Sequence, residues 1–340
     1  MQKMEQASSV ADRTRFLSVL KSMGLSPVAL VLFTVLAVAP LIVEDEYINT
    51  LMVSCLLFGA QAMAFDFTAG YINVVNFGFS GLVGLGAYTS ALLAVRLGVS
   101  PWLGLVGATV VAGIVGFLVG LLTLRLRGIF AAVMAWFVGL TLMELATAMV
   151  DLTRGSLGLN VPLFLDTAAR RPYYYILLPI VIGIYVLLRV VTRSDFGLAC
   201  RAIGQNIDVA RASGINPTKY RVINFTISCA LAGLLGGYYA HYIGILTPGV
   251  MATTHTTEVL VLSYIGGKGS IWGALVAAFL IIPIFEYLKP LMQFRLVLYG
   301  VFLVLATIVY PTGLAGLSRS IGERIRGQRR KAKQNRDQSP

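Results

Sequence analysis

Nine long apolar runs divide this chain, near residues 27–43, 47–65, 78–95, 101–123, 129–150, 173–192, 222–246, 270–288 and 293–310. A hydrocarbon layer about 30 Å thick is crossed by roughly 20 helical residues, so these runs have the length of membrane-spanning helices. A tenth run, Thr257 to Ile265, stops at Gly266, Gly267 and Gly269 and is too short to span alone; the pattern predicts half of a broken helix. Only 12% of the residues are charged against 57% hydrophobic, which leaves too little polar surface to cover a soluble globule of 340 residues. The expected fold is therefore all-α, a polytopic integral membrane protein of about ten transmembrane helices, or eight if two short runs re-enter, with some helices broken.

The net charge of +12 does not point to nucleic acid, because the basic residues gather at the two ends and in short loops rather than on one aromatic-studded face. Lys and Arg in short loops resist translocation and so mark the cytoplasmic side. Residues 1–26, with Lys3, Arg13, Arg15 and Lys21, read as a cytoplasmic leader and not as a cleavable signal peptide, and residues 318–340 as a basic cytoplasmic tail that anchors topology. With both termini inside, the number of crossings is even. Glu44, Asp45 and Glu46 fall outside after one crossing, Arg125 and Arg127 inside after four, and Arg193, Arg201 and Arg211 inside after six. The same order places Arg154, Arg170 and Arg171 outside, against the rule.

The remaining candidate residues point to packing more than to chemistry. Cys55, Cys200 and Cys229 have no paired spacing, so neither a disulfide nor a metal site is expected. His241 and His255 are expected to flank the external end of the seventh span without an acidic neighbour at ligand spacing. Asp66 reads as a cytoplasmic helix end, and Glu144, which has no second titratable group one turn away, as a packing or mouth-lining residue. The string GGKGS from Gly266 to Ser270 is not a phosphate loop: Leu262 stands where the first glycine is needed, and a helix rather than a strand precedes it. Glycines cluster at helical spacing in GLVGLGAY (Gly81 to Tyr88) and AGLLGGYY (Ala232 to Tyr239), which suits close helix approach and hints at an internal duplication.

Two polar interruptions stand out. ACRAIGQNIDVARASGINPTKYRV, Ala199 to Val222, is expected to form one short two-faced helix outside the bilayer. Ile203, Ile207, Ala210 and Gly214 share one face, and Gln205, Asn206, Asp208 and Arg211 lie elsewhere. Gly214 sits where a left-handed stop is expected, with Pro217 shortly after it. By pattern alone this helix lies on headgroups, braces the protein internally, or enters a groove on a soluble partner. The second interruption, GYINVVNFGFS, carries Asn73 and Asn76. Either these amides, with the break at Gly266, Gly267 and Gly269, line a path near the membrane midplane, or they merely tighten helix turns.

The stretch RAIGQNIDVARASGINPTKYRVINF resembles the coupling segment of permeases of bacterial ABC importers of the branched-chain amino acid type, with Ala210 and Gly214 four residues apart ahead of Lys219 and Phe225. RLRGIFAAVMAWFVG (Arg125 to Gly139), LTRGSLGL (Leu152 to Leu159), YIGGKGSIWGALVAAF (Tyr264 to Phe279) and GFSGLVGLGAYTSALL (Gly78 to Leu93) resemble four further blocks of that family, in the expected order. The likeness covers roughly residues 50–316. It departs at Gly204, Gln205 and Ile207, where the family usually has an arginine and an acidic pair, and at Arg154, where it usually has a second glycine.

The resemblance implies a permease domain over residues 27–317 in a bacterial inner membrane, with a cytoplasmic coupling helix at about 199–216. Arg201, Gln205, Asn206, Asp208, Ala210, Arg211 and Gly214 would meet separate ATPase subunits. The chain would bind no cofactor itself, since ATP is used by those partners, and would not be an enzyme. A second homologous permease, a periplasmic binding protein and membrane lipid complete the expected partners. The implied substrates are branched-chain or related amino acids, or urea, short amides or small aromatic acids moved by the same mechanism. A gradient-driven transporter should show paired intramembrane carboxylates, and this sequence shows mainly isolated ones. A membrane-embedded enzyme would need clustered His, Asp or Glu near an interface, and none is evident.

Overall fold

A backbone in hydrocarbon must satisfy its own N–H and C=O groups, and the apolar runs accordingly fold as helices. The structure, a computed structural model, describes residues 27–123, 126, 129–165, 167, 169–287, 297, 300, 301, 304 and 313–316. In chain order the long helices are α1 (Pro27–Ile42), α2 (Glu46–Ala69), α3 (Phe79–Leu97), α4 (Pro101–Thr123) and α5 (Ile129–Ala148). The short α6 (Val150–Thr153) leads to α7 (Arg171–Arg193), α8 (Asp195–Gln205), α9 (Ile207–Ala212), α10 (Pro217–Ile243), α11 (Thr253–Gly266) and α12 (Ile271–Tyr287). Two short strands, β1 (Leu159–Asn160) and β2 (Ile245–Leu246), pair antiparallel and close one end of the bundle.

Nine of the ten predicted runs are helices with ends close to those expected, and the tenth, 293–310, lies largely outside the described residues, as do the leader, the tail, Arg125 and Arg127. The expected count of eight to ten crossings is not reached among the described residues. Six helices, α2 to α5, α7 and α10, are long and apolar enough to cross, and α11 and α12 make a seventh only as a pair bent by 114°. α1, at 16 residues, is shorter than a span, and the expected break is where the chain reverses, Gly267 adopting φ 105° and Gly269 φ 77°.

α2 and α10 form the centre of the bundle, and α4 and α5 its rim. On α4, Trp102, Val106, Val110 and Phe117 point outward, as do Ile129, Phe130 and Phe137 on α5. The two glycine clusters meet face to face: Gly86 of α3 lies against the backbone of Gly233 in α10, and Gly236 lies against the carbonyl of Val83. Lipid supplies no hydrophobic drive between helices, so such backbone contact, which a side chain would block, provides the packing.

Two helices begin partway along the bundle rather than at one of its ends. After α2, residues 70–78 turn back inward until Gly78 rests on Ala135 and Gly139, in the middle of α5, and Asn76 Nδ2 comes 3.9 Å from the sulfur of Cys229, halfway along α10. After β2, a 3-10 turn at Pro248–Met251 likewise returns inward, and Thr256 in the first turn of α11 meets Ser80 in the first turn of α3. From this junction α3 runs toward the β1–β2 end, where Ser90 reaches His241. α11 runs the opposite way, to Asp66 at the end of α2.

Candidate functional site

The polar interruption is two helices, not the single helix expected over about 199–216. Asn206 sits between α8 and α9 with φ −155° and ψ 113°, and its Oδ1 accepts from the backbone N–H groups of Asp208 (3.0 Å) and Val209 (3.1 Å). An amide that satisfies orphan donors of a new helix favours starting one over continuing the old one. The stop at Gly214 is as predicted: its φ is 82°, its N–H donates to Arg211 O and that of Ile215 to Ala210 O, the paired bonds of a Schellman end. Asn216 then caps α10 through Lys219 N, with Pro217 at the first helical position.

The predicted apolar face turns toward the protein itself. Ile203 and Ala210 are buried in this chain, so they are braces and not a surface held out for a partner. Gln205, Asn206, Asp208, Arg211 and Gly214 are on the exposed side together with Val209, which is 61% exposed. The ledge that α8 and α9 present is thus mostly polar, with Leu198 of α8 and Val209 of α9 as exposed apolar knobs.

This ledge is tied to the helix break across a shared, open cavity of about 490 Å³, lined by residues of the 70–73 loop, α8 and the Lys268–Gly269 turn. Arg201 stacks over the Tyr71 ring at 4.9 Å and donates to its hydroxyl at 3.3 Å, and Gly204 lies on the Tyr71 carbonyl. Opposite, Lys268 Nζ donates to Asn73 Oδ1 at 2.6 Å. Behind them the fully buried Asp66 accepts through Oδ1 from Gly269 N (3.0 Å) and Ser263 Oγ (3.1 Å).

Asn73 and the glycines Gly266, Gly267 and Gly269 therefore do come together, but beside the α8–α9 ledge and not at mid-depth as expected. Asn73 is held there in a left-handed backbone, φ 56°, which asparagine adopts more readily than most residues with a Cβ. Asn76 alone lies at mid-depth, where its Oδ1 accepts from Gly78 N at 3.1 Å and shapes the entry to α3. Two residues past that entry α3 meets the α11 start: Ser80 N donates to Thr256 Oγ1 at 3.1 Å, and the two hydroxyl oxygens are 2.6 Å apart. Sequence reasoning missed Ser80, Thr256, Tyr71 and the anchoring role of Asp66. The only signal was the presence of small polar residues at the ends of apolar runs.

Other candidates settle into plainer places. His241 is buried between Ser90 Oγ (2.8 Å) and Pro162 O (2.7 Å) at the β1–β2 end. His255 is not beside it. It lies in the first turn of α11, 3.6 Å from Glu258, one turn along the same helix, so the expectation of no acidic neighbour is also corrected. Among the described residues no three potential ligands gather into a metal site. Glu144, expected to pack or to line a mouth, is exposed on α5. All three cysteines are free and buried, and burial pushes the Cys200 thiol up to about 12.

Residues 47–309 match the sequence model of the family described as the branched-chain amino acid transport system permease component. The chain is 27% identical over 322 residues to the high-affinity branched-chain amino acid transport system permease protein LivM of Escherichia coli K12, covering 85% of this chain and 75% of that protein. It is 26% identical over 297 residues to the probable branched-chain amino acid transport permease protein LivH of Methanocaldococcus jannaschii, covering 75% of this chain and 88% of that one. Over 58% of its length it is 25% identical to the nucleoside ABC transporter permease protein NupC of Lactococcus lactis, of which 69% is covered. No solved structure matches.

Proposed function

This chain belongs to the branched-chain amino acid permease family of ABC transporters, and from that premise we propose that it forms half of a translocation path driven by separate ATPase subunits and fed by a periplasmic binding protein. A second permease of the same family supplies the other half, as suits a family whose relatives include both LivM and LivH. The chain itself holds no nucleotide. Residues 27–317 form the permease domain of a bacterial inner-membrane protein, with the α8–α9 ledge, the leader and the tail on the cytoplasmic side. The substrates are branched-chain or related amino acids.

The observation that carries the coupling role is the ledge and its attachment. Gln205, Asn206, Asp208, Val209 and Arg211 stand clear of the bundle, while Ile203 and Ala210 bolt the same two short helices to it. A push on the ledge reaches the Gly266–Gly269 break through Arg201 and Tyr71 on one wall of the cavity and Lys268 and Asn73 on the other. ATP-driven closure of the partner subunits is the push, and its effect depends on a difference in contact between two states of the partner.

The test is uptake into vesicles by the complete transporter. Leucine uptake is expected to need ATP and to stop with vanadate, and Gly214→Glu, which puts a charged side chain on the exposed ledge and strains the left-handed stop at φ 82°, is expected to uncouple hydrolysis from uptake while still inserting. Uptake by this chain with no ATPase present, or normal uptake by Gly214→Glu, would overturn the coupling role. Uridine and urea in the same assay separate the amino acid class from the nucleoside named for one relative and from the amide alternatives.

A further inference from the structure

The place where α3 and α11 begin has properties that the coupling role does not use. Both helices start partway along the bundle, α3 buried and α11 opening to its side at Thr254 and His255, and run apart in opposite directions, so the positive ends of two backbone dipoles converge near Ser80 and Thr256. Beside them is a small, partly open cavity of about 30 Å³, walled by Leu57, Phe58, Val83, Val259 and the part-exposed His255 and reached by Ser80 and Gln61. Gln61 is 6% exposed and makes no hydrogen bond to any described residue. A primary amide carries two donors and two acceptor sites, and burying one without partners is unfavourable unless something else occupies them. Leu57, Phe58 and Gln61 lie midway along α2, so this amide faces the cavity at half-depth.

We propose that this junction is the shut form of a substrate-holding site for a small zwitterionic amino acid with an aliphatic side chain. The carboxylate is held where the α3 and α11 N-termini converge, the Gln61 amide bonds to the polar end, and the aliphatic side chain lies against Leu57, Val83 and Val259. The cavity as it stands has room for about one water. Substrate enters when α3 and α11 part, which breaks the Ser80–Thr256 contact, so the same two hydroxyls gate the site. The proposal rests on the permease reading and names the position and groups through which that permease would hold its cargo.

Two variants of the complete transporter test it, with leucine uptake into proteoliposomes normalised to inserted protein. Gln61→Leu, which keeps the volume and removes the hydrogen bonds, is expected to lower uptake at least tenfold, and Gln61→Asn to stay within about threefold of the parent. Uptake by Gln61→Leu within twofold of the parent, or equal loss in both variants, overturns the site. Ser80→Cys/Thr256→Cys, made with Cys55, Cys200 and Cys229 replaced by alanine, is expected to stop uptake when oxidised and to recover it on reduction. A pair that does not cross-link, or that cross-links without effect, also overturns it. A parent complex that moves no amino acid at all overturns the substrate class proposed above, whereas active parent and unaffected variants remove this site alone.

Discussion

Asp66, in the last turn of α2, accepts a hydrogen bond from the backbone N–H of Gly269, 203 positions further along the chain. The carboxylate is fully buried behind the turn, so this bond and the one from Ser263 fix where the α11–α12 break sits relative to the 70–78 loop. Asp66→Ala would take the acceptor from both the half-buried Gly269 N–H and the buried Ser263 hydroxyl, at about 1 kcal/mol or more. Asp66→Asn keeps an acceptor oxygen and should lose less. Thermal unfolding in detergent is expected to rank parent, Asp66→Asn, Asp66→Ala; identical midpoints for the parent and Asp66→Ala would refute the anchoring role.

The meeting of the two glycine clusters gives a prediction with a built-in control. A side chain at Gly236 would collide with the carbonyl of Val83, a backbone atom that cannot swing aside. Overpacking of this kind costs about 1–3 kcal/mol, so Gly236→Ala should lower yield and thermal midpoint. Gly183, in α7, has nothing within 4 Å. Gly183→Ala is therefore expected to be neutral or to gain up to about 1 kcal/mol, because alanine is the better helix former. Equal losses at the two positions would argue against the close α3–α10 approach.

The break at Asn206 separates cap from sequence. Asn206→Ala removes both bonds to the start of α9 and should cost about 1 kcal/mol locally. In a helix of only six residues that loss lets the ledge fray. The expected readout is fewer leucine molecules moved per ATP hydrolysed, with Asn206→Asp close to the parent because aspartate caps as well. An unchanged ratio in Asn206→Ala would show that α9 needs no fixed start.

Cys200 reports on the brace side of the ledge. Its buried thiol is pushed up to about 12, so the reactive thiolate stays scarce through pH 9. In a Cys55→Ala/Cys229→Ala background, maleimide is expected to leave the folded protein unmodified across pH 7–9 and to label it after denaturation. Rapid labelling of the folded protein near pH 8 would mean that α8 lifts off the bundle.

What the sequence made legible was apolar length. Hydropathy located nine of the described helices closely because a run of some twenty apolar residues has few other uses. Depth was not legible. Phe79 to Leu97 reads like any other apolar segment and Thr257 to Ile265 only as half of a broken helix, yet both helices start at mid-height, a fact fixed by contacts such as Ser80 with Thr256, 176 positions apart. The ledge was half legible: Gly214 announced its stop by needing a left-handed backbone, whereas the apolar stripe of Ile203 and Ala210 was equally consistent with facing a partner or the chain's own core. Asp66 was unreadable for the same reason, since nothing local to α2 indicates that Gly269 will lie beside it.

Arg154 stands where the resembling family usually has glycine, and its backbone explains the family's choice. It adopts φ 61° and ψ 9°, closing α6 with a bond from its N–H to Val150 O at 2.9 Å, and Gly155 follows at φ 51°. A left-handed conformation costs an L-residue with a Cβ roughly 1–2 kcal/mol, whereas glycine enters it freely. Part of that gain is offset because glycine also loosens the unfolded chain. Arg154→Gly is therefore expected to hold or raise stability by up to about 1 kcal/mol, while Gly155→Ala, whose new Cβ would lie 2.9 Å from the Thr147 carbonyl, should lower it. Thermal unfolding of the two variants decides the matter: if Arg154→Gly falls as far as Gly155→Ala, the exposed guanidinium is itself holding the loop, and the departure from the family's glycine is a stabilising substitution and not a strained one.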